Sequence, residues 1–403
     1  MNKFQGKNIL VGISGGIAAY KICDLIRLLV KDGFNVEVIM TEHSKHFITP
    51  LTIQTLTGNP VYCELFNLIK ESKIGHISLA EKADCLVIAP ATANIIGKIA
   101  NGIADDLLTT TVLATKSPVL IVPSMNKNMW ENPVVVENVR KISQIYHVMN
   151  PVEGLLACGI YGSGKLPDVE DIFENIKILL SPKPLNGKKV LVTAGPTIEE
   201  IDPVRFISNY SSGKMGYAIA KVAIRLGADV TLVSGKTSLK PPLFSKTFFV
   251  KSAEEMFNKC KELITDIDIL IKCAAVADFK PLTRFEDKMK KGKEDRVTLT
   301  LVKNPDILKQ LGKNKKKGAI FVGFAAETKD IIKNAKKKLK EKSLDLIVVN
   351  DVTDKHAGFE VDTNRVILVS DKEKSSLPLM SKEDVAYSIF EYLTKNFLNK
   401  HIS

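Results

Sequence analysis

TAGPTIEEIDPVRFISNYSSGKMG, residues 193–216, decides how this chain is read. It follows an apolar run at 190–192 that has the character of a short buried strand. It ends in Ser211-Ser-Gly-Lys-Met-Gly216 and leads into Ile219, Val222, Ala223 and Leu226, spaced i, i+3, i+4, i+7 as on a helix. A strand, a Gly/Ser-rich loop and a helix start form an anion site, because unpaired backbone N–H groups and the helix dipole point at one spot. The ordinary alternative is a plain strand-to-helix turn. The loop is neither a Walker A motif nor a GxGxxG fingerprint, so it implies some other nucleotide or phosphate chemistry.

The same plan occurs twice. GKNILV opens the chain at 6–11, and GKKVLV opens its second half at 187–192. After the first comes a glycine-bearing loop and a helical stripe of Ile22, Leu25, Ile26 and Leu29. Gly33 and Gly227 stop the two helices, and second strands follow at 36–40 and 230–233. Further strands are predicted at 85–89 and 119–122, then at 267–273, 319–324 and 344–349. The fold class is therefore α/β, with two doubly wound, mostly parallel-sheet, Rossmann-like domains. The Pro/Gly-bearing stretch LSPKPLNGK, 180–188, is the expected seam, giving domains 1–185 and 186–403.

Composition narrows the function. At 403 residues, 45% hydrophobic and 25% charged, the chain is an ordinary globular one with room for two or three cores. No apolar run approaches a membrane span, so a soluble, cytoplasmic protein without a membrane partner is expected. Six cysteines without a CxxC pair favour reduced thiols over a disulfide frame or zinc site. The formal charge of +12 favours anionic partners. Aromatic residues are scarce among the lysines at 313–317 and 336–342, so nucleic acid is not the expected partner.

In open parallel sheets ligands sit beyond the carboxyl ends of the strands. The segments there are SGGIAAYK, Thr41, PATANIIGK and PSMNKNMW in the first half, and AAVADFKP, AAET and NDV in the second. Ser14, Gly15, Gly16, Ile17 and Ala18 let backbone approach a phosphate at a helix start. The second strand ends in Met40-Thr41 and not in an acidic residue, which favours a mononucleotide over NAD. Thr92 and Asn94 are either further donors at the same place or simple helix caps.

Here a resemblance becomes specific. GGIAAYK, the PATAN…ADDLLT run at 90–109, PSMNKNMW at 123–130 and Ala157-Cys-Gly159 together resemble the flavin-dependent cysteine decarboxylases, and among them the phosphopantothenoylcysteine decarboxylases. The stretch 193–216, with Lys288-Met-Lys-Lys291, is similar to the phosphopantothenate–cysteine ligases. The resemblance covers essentially the whole chain and places both activities in coenzyme A biosynthesis.

For the first half it implies a flavodoxin-like fold holding FMN through Ser14, Gly15, Gly16, Ile17, Ala18, Thr41, Ala91, Thr92, Ala93, Asn94 and Met125. It implies His76 as the active-site base, Asn126 as the amide that binds the substrate carboxylate and Cys158 as the proton donor. Taken without it, a lone histidine or cysteine is more often structural.

For the second half it implies activation of 4′-phosphopantothenate by CTP as an acyl-cytidylate, which cysteine then attacks. Lys288, on a charged loop at 286–296 expected to be mobile, matches the lysine for the triphosphate, and Lys338 and Lys342 match further nucleotide contacts. Ser211, Ser212, Gly213, Lys214 and Met215, with Ala274, Ala275 and Val276, form the expected loops around the substrates. Asp278, Asn304, Pro305, Asp306, Ile307 and Phe324 match positions around cytosine and ribose. Asn209 matches the amide that secures the acyl-cytidylate, and the planar fork of Arg205 suits a substrate phosphate. Mg²⁺ is expected to be held mainly through the nucleotide phosphates, with no protein ligands assigned. Trimers of the decarboxylase half and dimers of the ligase half imply a homo-oligomer, a dodecamer. A non-catalytic flavoprotein with a regulatory or binding role is the alternative, against which stand His76, Asn126 and Cys158.

Overall fold

The computed structural model describes residues 3–65, 75–290, 297–327, 331–351 and 361–398. The chain divides into two compact units, Met1–Ser181 and Pro182–Ser403.

The first unit is built on β1 (Asn8–Ile13), β2 (Asn35–Met40), β3 (Val61–Tyr62), β4 (Cys85–Ala91), β5 (Val119–Pro123) and β6 (His147–Val148). They form one sheet in the order β3-β2-β1-β4-β5-β6, every pair parallel. Setting aside the two-residue edge strand β3, the order β2-β1-β4-β5-β6 is the flavodoxin-like one. Both faces are covered, which is why the strands read as unbroken apolar runs and not as alternating ones. β4 and β5 are buried along their whole length. The helix Ala19–Lys31 turns Ile22, Leu25, Ile26 and Leu29 onto the sheet. It is closed by Gly33 at φ +89°, a left-handed turn that favours glycine. A separate antiparallel hairpin, β7 (Val152–Leu155) and β8 (Tyr161–Lys165), follows β6.

The second unit opens with β9 (Lys189–Ala194) and the small antiparallel pair β10 (Ile198–Glu200) and β11 (Phe206–Ser208). Its other strands are β12 (Asp229–Ser234), β13 (Lys246–Phe249), β14 (Ile269–Lys272), β15 (Phe279–Pro281), β16 (Leu301–Lys303), β17 (Ile320–Glu327) and β18 (Leu346–Asp351). The last four are β19 (Thr363–Asn364), β20 (Val366–Val369), β21 (Lys374–Ser376) and β22 (Met380–Ser381). The main sheet runs β13-β12-β9-β14-β17-β18-β20-β21, parallel up to β18 and antiparallel beyond it. β15 pairs with β16, and β19 with β22.

After β9 the helix Lys214–Arg225 packs unusually close to the strand. A Cβ on Gly216 would stand 2.5 Å from that of Ala194, so a side chain there would push the helix start off the sheet. At the other end of the same helix Arg225, with its side chain only 1% exposed, is paired with Glu383 at 2.6 Å. That bond ties the helix to the helix Lys382–Leu393. Removing one partner of such a pair strands a buried charge, whereas replacing both by apolar groups costs far less. Glu383→Ala is therefore expected to lose about 2–3 kcal/mol. The double change Arg225→Met with Glu383→Leu should lose less than the single one. Urea unfolding of the two variants beside the parent chain tests this.

Candidate functional site

In the first unit the residues beyond β1, β2, β4 and β5 line a cavity of about 920 Å³. The Ser14 hydroxyl donates to the carbonyl of Pro90 at 2.7 Å and accepts from the backbone N–H of Thr92 at 3.1 Å. This locks the loop after β1 to the loop after β4, across the point where the strand order reverses. Thr92 also caps the helix Ala93–Ala100, accepting from the N–H of Ile95 at 3.5 Å, so the capping and site readings hold together. A Cβ on Gly15 would lie 2.4 Å from the Cβ of His43, so glycine is what lets this loop rest against the residues after β2. The Thr41 hydroxyl lines the cavity, buried and with no hydrogen-bond partner. An orphaned buried hydroxyl between two helix starts fits a phosphate-bearing flavin, which would supply the missing partner.

The β7–β8 hairpin forms another wall. Gly164 has φ +124°, and its carbonyl accepts from the N–H of Met125 at 3.0 Å, which fastens the hairpin to the loop after β5. That junction brings two expected residues together. Asn126 caps the helix Lys127–Trp130 with its side-chain oxygen, and its amide nitrogen donates to the Cys158 sulfur at 3.4 Å. Of the expected flavin contacts, all but Ala91 line the cavity; Ala91 is buried at the end of β4, where its carbonyl accepts from Ser124. His76 sits half-buried in the helix Gly75–Lys82 and does not line this cavity. One chain thus joins Asn126 to Cys158 but leaves His76 elsewhere. Sequence reasoning passed over His43, Lys98 and Lys165, which line the same space.

In the second unit the expected residues fall into small bonded groups. The Asn209 amide donates to the carbonyl of Ala275 at 3.1 Å, and the N–H of Ala275 donates to the carbonyl of Gly195 at 3.0 Å. Gly213, at φ +78°, precedes the helix Lys214–Arg225, and Lys214 pairs with Asp362 at 2.7 Å. Asn304 binds the carbonyls of Asp278 and Ala277, while its own side-chain oxygen is buried without a donor. That unmet acceptor fits an amino group such as the exocyclic amine of cytosine. Asp306 caps the helix Ile307–Gly312 and pairs with Lys342 at 2.8 Å. Phe324 lies half-buried on β17, and Lys338 half-buried on the helix Ile331–Glu341.

Arg205, expected at a substrate phosphate, is ion-paired within its own loop. Its guanidinium lies on Asp202 at 2.5 Å and on the carbonyl of Met289 at 2.9 Å, and its side chain stays 46% exposed. Burial opposes ionisation of Asp202, but Arg205 and the N–H groups of Val204, Arg205 and Met289 outweigh it and hold the carboxyl well below its usual range. Arg205 and Asp202 also line a cavity of about 600 Å³ with Lys236, Phe249 and Lys251. Lys288 is exposed beside Met289, and Lys291 lies outside the described residues. Among the described residues no three His, Cys, Asp or Glu side chains gather as a metal site.

The comparisons follow the same division. The family described as Flavoprotein matches residues 2–181, and the DNA/pantothenate metabolism flavoprotein C-terminal domain matches residues 185–397. The coenzyme A biosynthesis bifunctional protein CoaBC of Bacillus subtilis is 50% identical over 393 residues, 96% of each chain. This chain belongs to the family of bifunctional coenzyme A biosynthesis proteins. The family's Escherichia coli member is 41% identical over 400 residues, 98% of each chain. A crystal structure of a C-terminal domain from the family is 42% identical and covers 54% of this chain and 100% of its own, with a TM-score of 0.47.

Lys272 is the residue of the second site that the sequence concealed, since one lysine in ILIKCAA reads as an accident of a strand end. It is the last residue of β14, and its ammonium folds back to donate to the carbonyl of Ala274 at 2.9 Å. Burial first and Lys342 second push it down to about 8, against the opposing pull of Cys273, Asp306 and Asp278. The folded value lies below the unfolded one. Between about pH 8 and about pH 10.5 the unfolded chain therefore binds more protons, and stability gains with rising pH across that window. The cost of holding the charge is fully present below it. Lys272→Met is expected to raise the melting temperature at pH 7, with the gain shrinking as pH approaches 10. Thermal melts followed by circular dichroism at both pH values check the sign.

Proposed function

We propose that the second unit joins cysteine to 4′-phosphopantothenate at the expense of CTP, and that the first decarboxylates the product, 4′-phosphopantothenoylcysteine, to 4′-phosphopantetheine. Membership of the bifunctional family supports both halves. The observation that carries the decarboxylase reading is the Asn126–Cys158 contact on the wall of the cavity with the orphaned Thr41 hydroxyl.

FMN bound by the loops after β1 and β4 would supply the two-electron acceptor that a thiol-bearing carboxylate needs before it can release CO₂. The chain's own residues do the rest. The Asn126 amide holds the substrate carboxylate as a neutral donor, so it stays ionised and can leave as CO₂ with the bonding electron pair remaining on the substrate carbon. The Cys158 thiol, beside that amide, returns a proton to carbon once the carboxylate has left. His76 does not reach the cavity of its own chain, so in this reading it serves the site of a neighbouring copy. The trimer-and-dimer dodecamer is the assembly consistent with that.

In the second unit Lys288, with Mg²⁺ carried on the triphosphate, neutralises charge for the first step, while Lys342 exchanges Asp306 for the nucleotide. Asn209, anchored on Ala275, presents an amide to the acyl-cytidylate carbonyl as cysteine attacks. Cytoplasmic location accords with these soluble substrates.

Two experiments test the halves separately. With Cys158→Ala, CO₂ should still form while 4′-phosphopantetheine does not, and the enethiol should accumulate; a normal product yield removes the proton-donor role. In the ligase, Asn209→Asp sets a carboxylate against the Ala275 carbonyl and loses a donor. Such a loss typically costs about 10²–10³ in rate. Quenched reactions with CTP, Mg²⁺ and 4′-phosphopantothenate should then contain acyl-cytidylate for Asn209→Asp and none for Lys288→Gln. The opposite pattern reverses the two roles.

A further inference from the structure

Lys165, at the end of β8, lines the same cavity as Asn126 and Cys158 and is half-buried. Its side chain lies across the paired strand at Gly154. A Cβ there would stand 2.9 Å from its Cδ and 3.3 Å from its Nζ, so glycine at 154 is what lets the lysine lie along the hairpin. Among the described residues no carboxylate pairs with it. Lys98 on the same cavity is neutralised by Asp105 and Asp106, at 2.7 and 2.9 Å. Lys21 also lines the cavity, but it sits in the first turns of the helix Ala19–Lys31, at the end that suits the flavin phosphate. A half-buried ammonium without a counter-ion loses hydration and gains nothing for it, so it favours an arriving anion.

The substrate of the proposed decarboxylation carries two anions. Its carboxylate must lie against Asn126, near the reacting thiol. Lys165 pairs with Val152 at the base of the hairpin, while Cys158 stands in the loop at its tip. At about 3.3 Å per residue along a strand, an ammonium over Gly154 is roughly 10 Å from that tip. That sets the ammonium back from the reacting thiol, and it suits the far end of an extended pantothenoyl chain.

We propose that Lys165 anchors the 4′-phosphate of the decarboxylase substrate and thereby makes this half of the protein selective for phosphorylated over unphosphorylated pantothenoylcysteine. The inference rests on the decarboxylase reading, and the test separates the two. Steady-state decarboxylation of 4′-phosphopantothenoylcysteine and of pantothenoylcysteine is measured for the parent, Lys165→Met and Lys165→Arg, with flavin content read from the visible spectrum. The parent should favour the phosphorylated substrate by at least about tenfold in kcat/KM, as one charged hydrogen bond supplies. Lys165→Met should raise KM for that substrate roughly 10–100-fold, with kcat, flavin content and turnover of the unphosphorylated substrate unchanged. Lys165→Arg should keep most of the preference. A parent without preference, or a methionine variant slowed equally on both substrates, overturns the assignment. Product inhibition of the parent gives the answer without any variant: 4′-phosphopantetheine should inhibit more strongly than pantetheine, and equal inhibition refutes the anchor. A parent that turns over neither substrate overturns instead the decarboxylase reading itself.

Discussion

Parallel pairing at two places, β1 with β4 and β9 with β14, is the constraint on which both units depend. At each place the chain leaves one strand towards one side of the sheet and returns on the other, so the connections diverge and open a crevice at the carboxyl edge. The geometry there is almost pure backbone. Glycines at 15 and 216 admit a loop or a helix start into contact distances that a Cβ would forbid. Whatever chemistry is added rides on segments that the sheet has already gathered to one edge.

The parts of this arrangement that sequence could convey are those encoded by periodicity and by glycine. Strands buried on both faces, such as CLVIAPA, announce themselves as apolar runs, and Ile22, Leu25, Ile26 and Leu29 mark a buried helical face. Boundaries were less legible: β14 is confined to Ile269–Lys272, inside the expected 267–273, and β17 runs on to Glu327. Hydrogen bonding along the sheet, and not hydropathy, decides where a strand stops. The β7–β8 hairpin was not expected at all. Its strands, VEGL and YGSGK, are glycine-rich and half polar, and they are held by pairing with each other and by the Met125–Gly164 bond. Lys165 and its bed on Gly154 went unseen with it.

Electrostatic relations were the least legible. Motifs brought Asn126 and Cys158 into one account, and the fold brings them within 3.4 Å. Motifs also marked Arg205, Lys214 and Lys342, but nothing in the sequence tells that each faces a carboxylate: Asp202, Asp362 and Asp306. The last two pairs are exposed enough that a triphosphate, with more charge than one carboxylate, can take the cation over. Asp202 is different. Fully enclosed and bound by several donors, it holds Arg205 in place.

That enclosed carboxylate also has a bearing on the freedom of Lys288. Asp202 accepts from the N–H of Met289 at 3.2 Å, and Arg205 donates to the carbonyl of the same residue. The backbone next to Lys288 is therefore moored on both its polar groups, and the ammonium explores little more than the sweep of its own side chain.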